Sequence, residues 1–163
     1  MSPLTDAESQ DRVVAVLSCE RLIHQFAWHL DQGSPATEIA ALFAEDGIWE
    51  LPTHGLRSEG RAELARYFGS FSPQITSRRL CTNVMVDVLG PDEARGTSYF
   101  TTFRVDGPPT GDGPPPPPPV TQVGYYTDVF RRVEGEWRIA RRTTTVTFAA
   151  PMPRTDANVT VGR

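Results

Sequence analysis

From about residue 75 to residue 148 the chain is a succession of long alternating stretches separated by turn residues, with no helical pattern between them. That order constrains the fold more than any other feature. Strands joined through short turns pair antiparallel, whereas parallel pairing needs a crossover of a dozen or more residues, usually helical. The stretch at 80–89 places Leu80, Val84, Val86 and Val88 on one parity and Cys81, Asn83, Met85 and Asp87 on the other. Gly90-Pro91-Asp92 is a turn. Residues 94–105 and 120–133 are predicted as the second and third strands. Glu134-Gly135 closes a tight hairpin into a fourth at 137–148.

Residues 106–119 interrupt this series with Pro108-Pro109 and six consecutive prolines at 114–119. Proline has no N–H to give a sheet, so the segment is expected to be extended polyproline. We read it as a solvent-exposed hairpin insertion. The competing reading is a ligand for an aromatic groove of the SH3 or WW type.

The first half is helical. Residues 8–31 form an amphipathic segment with Val16, Cys19, Ile23, Phe26 and Leu30 on one face. Beside it runs a half-polar track of Val13, Leu17, Glu20, His24, Ala27 and Asp31. Gly33 is placed to end this helix. A second helix is expected to open with Ser34 as its cap and Pro35 in its first turn. Asp46-Gly47 reads as a turn and Ile48-Trp49-Glu50-Leu51 as a short strand stopped by Pro52. A third helix is expected at 62–68. Helices first and hairpin-linked strands afterwards define an α+β fold. The organisation expected is one domain over residues 1–150, carrying the insertion at 106–119, with a flexible tail at 151–163.

Composition removes several function classes. A net charge of −4 gives no electrostatic case for nucleic acid. No apolar run approaches a membrane span, and residues 1–10 show no signal-peptide pattern, so the cytoplasm is the expected compartment. All sixteen basic residues are arginine, which excludes a lysine base or Schiff base. Cys19 and Cys81 are read as buried free thiols, and no zinc-binding spacing occurs.

Five pieces, in order, resemble the SnoaL-like branch of the NTF2-like superfamily. They are Phe26-Ala27-Trp28-His29-Leu30-Asp31; Ala41-Leu42-Phe43-Ala44-Glu45-Asp46-Gly47-Ile48-Trp49; Gly60 before a short helix; Thr82-Asn83-Val84; and Gly124-x-Tyr126-x-Asp128 followed by Glu134-Gly135-Glu136-Trp137-Arg138-Ile139. The resemblance implies a cone-shaped fold in which a curved, mostly antiparallel sheet wraps a long N-terminal helix and two shorter ones. It implies a pocket between sheet and helices, a homodimer formed through the sheet, and chemistry without a cofactor. Family enzymes include polyketide cyclases, dehydratases and isomerases (the last two being lyase and isomerase chemistry of natural-product biosynthesis). Many use an aspartate matching Asp31 and a histidine in the strand before Thr-Asn. Here Arg79 stands in that histidine's place, and a guanidinium is a poor proton shuttle.

Asp31 is therefore the leading candidate for acid/base work, with a structural role at the helix end as the alternative. Arg79 could fix a substrate oxyanion, pair with Asp31, or face solvent if a bulge exchanges it with Arg78. His54, on a loop that could roof the cone, and Tyr126, as an oxyanion donor, are the further catalytic candidates. His24, Phe26, Trp28, Trp49, Asn83 and Tyr99 are candidates for the binding surface. Asp128 with Arg141 or Arg142 is expected to make a cross-strand charge pair rather than a site. The function expected is proton transfer on an apolar oxygenated molecule such as a polyketide, steroid or terpenoid: cyclisation, dehydration or isomerisation. The alternatives are a non-catalytic binding or scaffold protein and the structural small subunit of a ring-hydroxylating dioxygenase.

Overall fold

The computed structural model describes residues 5–107 and 113–150. The chain forms α1 (Asp6–Gln32), α2 (Ala36–Ala41), β1 (Phe43–Leu51), a 3-10 turn (Pro52–His54), β2 (Leu56–Glu59), α3 (Arg61–Gly69), β3 (Ile75–Val88), β4 (Glu93–Asp106), β5 (Val120–Val133) and β6 (Glu136–Ala149). The sheet order is β2-β1-β6-β5-β4-β3. Every neighbouring pair is antiparallel except β1 with β6, where the helical first half joins the strand-rich second half. This is the expected α+β architecture.

Helix α1 starts earlier than its apolar pattern indicates. Thr5 and Glu8 form a capping box: Glu8 N–H donates to Thr5 Oγ1 at 3.3 Å, and Thr5 N–H donates to Glu8 Oε2 at 2.8 Å. Its far end closes on Gly33 in the left-handed region, as expected. The predicted stripe is the buried one at Cys19, Ile23 and Phe26, while Val16 and Leu30 are half-buried. Ser34 does not cap α2. Pro35 occupies the cap position, and the Ser34 hydroxyl instead meets His29 Nδ1 at 2.9 Å.

Asp46-Gly47 is not a turn between elements. It lies inside β1, where four residues, Ala44 through Gly47, separate two successive pairings with β6, so the chain bulges rather than reverses. β2 was not expected; it pairs with β1 after Pro52 ends that strand.

The bulge that matters most is at Asn83. Thr82 pairs with Tyr99 and Met85 with Thr97, so Asn83 and Val84 together oppose the single residue Ser98. Asn83 takes a φ of 51°, which asparagine tolerates better than most residues. The parity of the strand flips there. Before the bulge Ser77, Arg79 and Cys81 face the concave side; after it Val84, Val86 and Val88 do. Leu80, expected to share the face of the valines, is instead 54% exposed on the convex side.

The helices fill the concave face. Phe26 stands edge-on to Phe43, Phe68 and Tyr126, and Ile23, Leu64, Phe130 and Ile139 complete the centre. Each such side chain contributes about 1.5–3 kcal/mol by burial. The cone is thus largely packed, and open space is left at its mouth rather than along its axis. Residues 113–119 carry no helix or strand and are largely exposed, in keeping with an insertion. Part of that insertion, and the tail from residue 151, lie outside the described residues.

Candidate functional site

The last turn of α1 runs against the start of β3, and the two meet at Asp31. Its carboxylate is 7% exposed. Oδ1 accepts from Ser77 Oγ at 2.8 Å and from Arg79 Nη1 at 2.5 Å; Oδ2 accepts from the Arg79 backbone N–H at 2.5 Å. Arg79 Nη1 also reaches Ser77 Oγ at 3.0 Å. The Asn83 bulge makes this possible, because it turns Ser77 and Arg79 inward. Arg78 alternates to the other face of the strand, but its guanidinium turns back to the cleft and donates to the Asp31 carbonyl at 3.2 Å. A carboxylate at a helix C-terminus opposes the helix dipole, and the Arg79 charge offsets that cost.

Beside this pair a cleft of about 280 Å³ opens, lined by His24, Ala27, Trp28, Asp31, Gln32, Arg78, Arg79 and Cys81. His24 and Asp31 lie on one helical track, about 10 Å apart along the axis at ~1.5 Å per residue. Trp28, 64% exposed, forms the rim.

Below the cleft the polar groups continue into the core. Cys81 pairs in register with Phe100, whose ring stacks on Tyr126 at 4.7 Å between centroids. The stack needs Gly124: a Cβ there would stand 2.7 Å from the Phe100 ring and 2.1 Å from the Thr145 carbonyl oxygen. Next along the sheet, Arg142 and Asp128 form a bidentate pair, Nε to Oδ1 and Nη2 to Oδ2, both at 2.8 Å, with both side chains fully buried. The guanidinium is sandwiched between Phe26 and Tyr126, 4.4 Å from each ring centroid. Burial pushes the Tyr126 phenol up to about 12, against the pull of Arg79 and Arg142, so it is a neutral donor at ordinary pH. Burial likewise raises the Cys81 thiol, again opposed by the two arginines. Both cysteines are free.

The structure thus gathers Asp31, Arg79, His24 and Trp28 at the cleft and sets Tyr126 and Phe26 directly behind it. It does not bring four other candidates there. His54 is exposed on the 3-10 turn, bonded only to its neighbour Thr53 at 3.0 Å, and does not line the cleft. Asn83 shapes the backbone, and its side chain is exposed. Tyr99 alternates with Phe100 and so lies on the convex face, 56% exposed. Trp49 is core, stacked on Tyr67 at 4.6 Å.

Asp128 and Arg142 do form the expected cross-strand pair, while Arg141 faces outward to Glu50 at 3.4 Å. The depth of the pair was not expected. The two-residue steps from Gly124 to Tyr126 to Asp128 were the available signal, since they place all three on one face. Gln32 and Cys81 also line the cleft, and Ser77 holds Asp31 from beside it; nothing local in the sequence marks them. Among the described residues no three His, Cys, Asp or Glu side chains converge as a metal site, and no helix is long and apolar enough to cross a membrane.

A family model described as the SnoaL-like domain matches residues 11–143. The chain belongs to the SnoaL-like family. Among solved structures it is similar to an NTF2-like protein with a cystatin-like fold from Novosphingobium aromaticivorans, at 21% identity over 92% of this chain and 94% of that one, TM-score 0.71. It is similar to the hexachlorocyclohexane dehydrochlorinase LinA-type3 from Novosphingobium barchaimii, at 13% identity over 90% and 95%, TM-score 0.69. It is also similar to ActVI-ORFA from Streptomyces coelicolor, at 19% identity over 83% and 97%, TM-score 0.65. At these identities the likeness shows the fold. No curated protein matches the chain significantly.

Proposed function

We propose that this chain is a cofactor-independent enzyme that binds an apolar, oxygen-bearing small molecule and moves a proton on it, with Asp31 as the acid/base. The observation that supports the reading is the place of Asp31: a nearly buried carboxylate on the wall of a cleft flanked by Ala27, Trp28 and Cys81. Its Oδ2 carries one hydrogen bond, from the Arg79 backbone, which leaves a lone pair for a substrate proton. Arg79 takes the place of a shuttle histidine without its chemistry. It orients Asp31 and sets positive charge where an enolate or phenolate oxygen would develop. The dehydrochlorinase neighbour is named for loss of hydrogen chloride, a reaction in which a proton leaves carbon. Cyclisation, dehydration and isomerisation share that step.

A second reading, binding without turnover, draws on the same geometry, because Ser77 and Arg79 already engage both Asp31 oxygens. Exchange of the α-protons of 2-tetralone into D₂O, followed by NMR, separates the two. The protein accelerates exchange, and Asp31→Asn, with its fold verified by circular dichroism, slows it by about 100-fold or more. Equal rates for the two proteins, or no acceleration by either, leave the binding reading in its place.

A further inference from the structure

The chain carries a net charge of −4, yet the wall of its cleft is positive. Among the lining side chains one carboxylate, Asp31, stands against two guanidinium groups, Arg78 and Arg79, which leaves one positive charge before His24 is counted. Asp31 takes up the charge of Arg79. Arg78 has no such partner. Among the described residues Arg12, Arg21 and Arg78 are the arginines with no carboxylate beside them, while every other one has a carboxylate partner. Of those three, only Arg78 lines the cleft. Its guanidinium is half committed. Nη1 donates to two carbonyl oxygens, that of Asp31 at 3.2 Å and that of Ser77 at 2.6 Å. A cation at the C-terminal end of α1 is favourable, and that accounts for Nη1. Nε and Nη2, the other edge of the same planar group, meet no acceptor among the described residues, and Arg78 is exposed.

We propose that Arg78 anchors the carboxylate of an apolar monocarboxylic acid at the rim of the cleft, and that such acids are the substrate class. The fork of Nε–H and Nη2–H matches two carboxylate oxygens side by side. One charge on the ligand balances the one left over on the wall, and a dianion would bring one too many. Ala27, Trp28 and Cys81 supply an apolar wall for the body of the acid, and Trp28 at the rim offers it a ring face. Anchor and acid/base are built on one residue. Arg78 holds the backbone oxygen of Asp31, and Arg79 holds its carboxylate. An acid seated on Arg78 therefore has its next few carbons beside Asp31 Oδ2, the oxygen with a lone pair to spare. A neutral ligand gains little from the open edge of Arg78, and an organic cation is repelled by it.

This assignment rests on the enzyme reading, in that it names the substrate class for the same cleft. Its test reads binding alone. Titration calorimetry compares 2-naphthoate with 2-naphthamide, which has the same shape and no charge. The wild-type protein binds the acid ~10-fold or more tighter than the amide, the ratio one charge-assisted hydrogen bond supplies. Arg78→Gln leaves the core untouched, because the residue is exposed, and brings the ratio towards one. Arg78→Lys keeps the charge without the fork, so the ratio falls. Arg21→Gln removes an equal charge from outside the cleft and leaves the ratio as it is. The proposal is overturned if 2-naphthoate does not bind, if acid and amide bind alike, if Arg78→Gln or Arg78→Lys keeps the full ratio, or if Arg21→Gln lowers it as far. The full ratio in Arg78→Gln, with stability lowered, would make Arg78 a helix cap and nothing more. An intact wild-type ratio with no proton exchange in 2-tetralone sinks the enzyme reading alone. Exchange that depends on Asp31 with a ratio of one sinks this proposal alone.

Discussion

At the scale of single residues, the interior is governed by two aspartate–arginine pairs with different exposures. Asp31–Arg79 lies at the cleft, where Arg79 retains 17% of its side-chain surface. Asp128–Arg142 is sealed, at 0% for both partners. In the sealed pair each charge is tolerable only because the other is present. Removing one leaves an uncompensated buried ion, which costs about 3–5 kcal/mol. Asp128→Asn keeps the shape of the side chain and removes only its charge, so urea denaturation should show a loss of that size. A loss below ~1 kcal/mol would mean that the interior admits enough water to solvate Arg142. Thr144→Val deletes an unbonded hydroxyl and should leave stability within about 0.5 kcal/mol. The contrast between the two tells a stabilising polar group from one that adds nothing.

At the scale of elements, the decisive one is β3 with its bulge. A two-residue period written across 80–89 keeps Leu80 and the valines on one face, and it fails because the period resets at Asn83. The strand itself, its turns and its hairpin partners were legible, since alternation and turn residues carry that information locally. Which of Arg78 and Arg79 pairs with the Asp31 carboxylate was not, because a bulge is a backbone event whose effect falls on residues four and five positions away. The one local hint was the asparagine, a residue that accepts positive φ. Similarly, Thr5-x-x-Glu8 announces the true start of α1, although the apolar stripe begins later. Asn83→Val places a β-branched residue at φ 51° and should cost about 1–2 kcal/mol in chemical denaturation, whereas Asn83→Gly should cost nothing. If the valine variant is as stable as the wild type, the left-handed conformation is not what fixes Arg79 inward.

At the scale of the whole molecule, the concave face is covered by helices and the convex face is not. Two cross-strand rows run over β3, β4, β5 and β6 on the open side: Leu80, Thr101, Val123 and Phe148 in one, Thr82, Tyr99, Tyr125 and Thr145 in the other. Leu80, Tyr99 and Phe148 are all more than half exposed, and neither row contains a charge. Apolar surface spread over four strands is more than scattered exposed side chains require. We propose that two copies of the chain pair through it. A second copy presents the same uncharged rows, and such an isologous contact closes on itself without leaving a sheet face free. Tyr99 and Leu80 then act in assembly rather than in the cleft, which accounts for an aromatic residue at a position where alternation points away from the interior. Sedimentation equilibrium should give twice the chain mass for the wild type. Tyr99→Glu/Leu80→Glu sets like charges against each other across the two-fold axis and should give the single-chain mass, with the circular dichroism spectrum unchanged because neither side chain is in the core. A wild type that sediments as one chain at micromolar concentration would leave this face to some other partner.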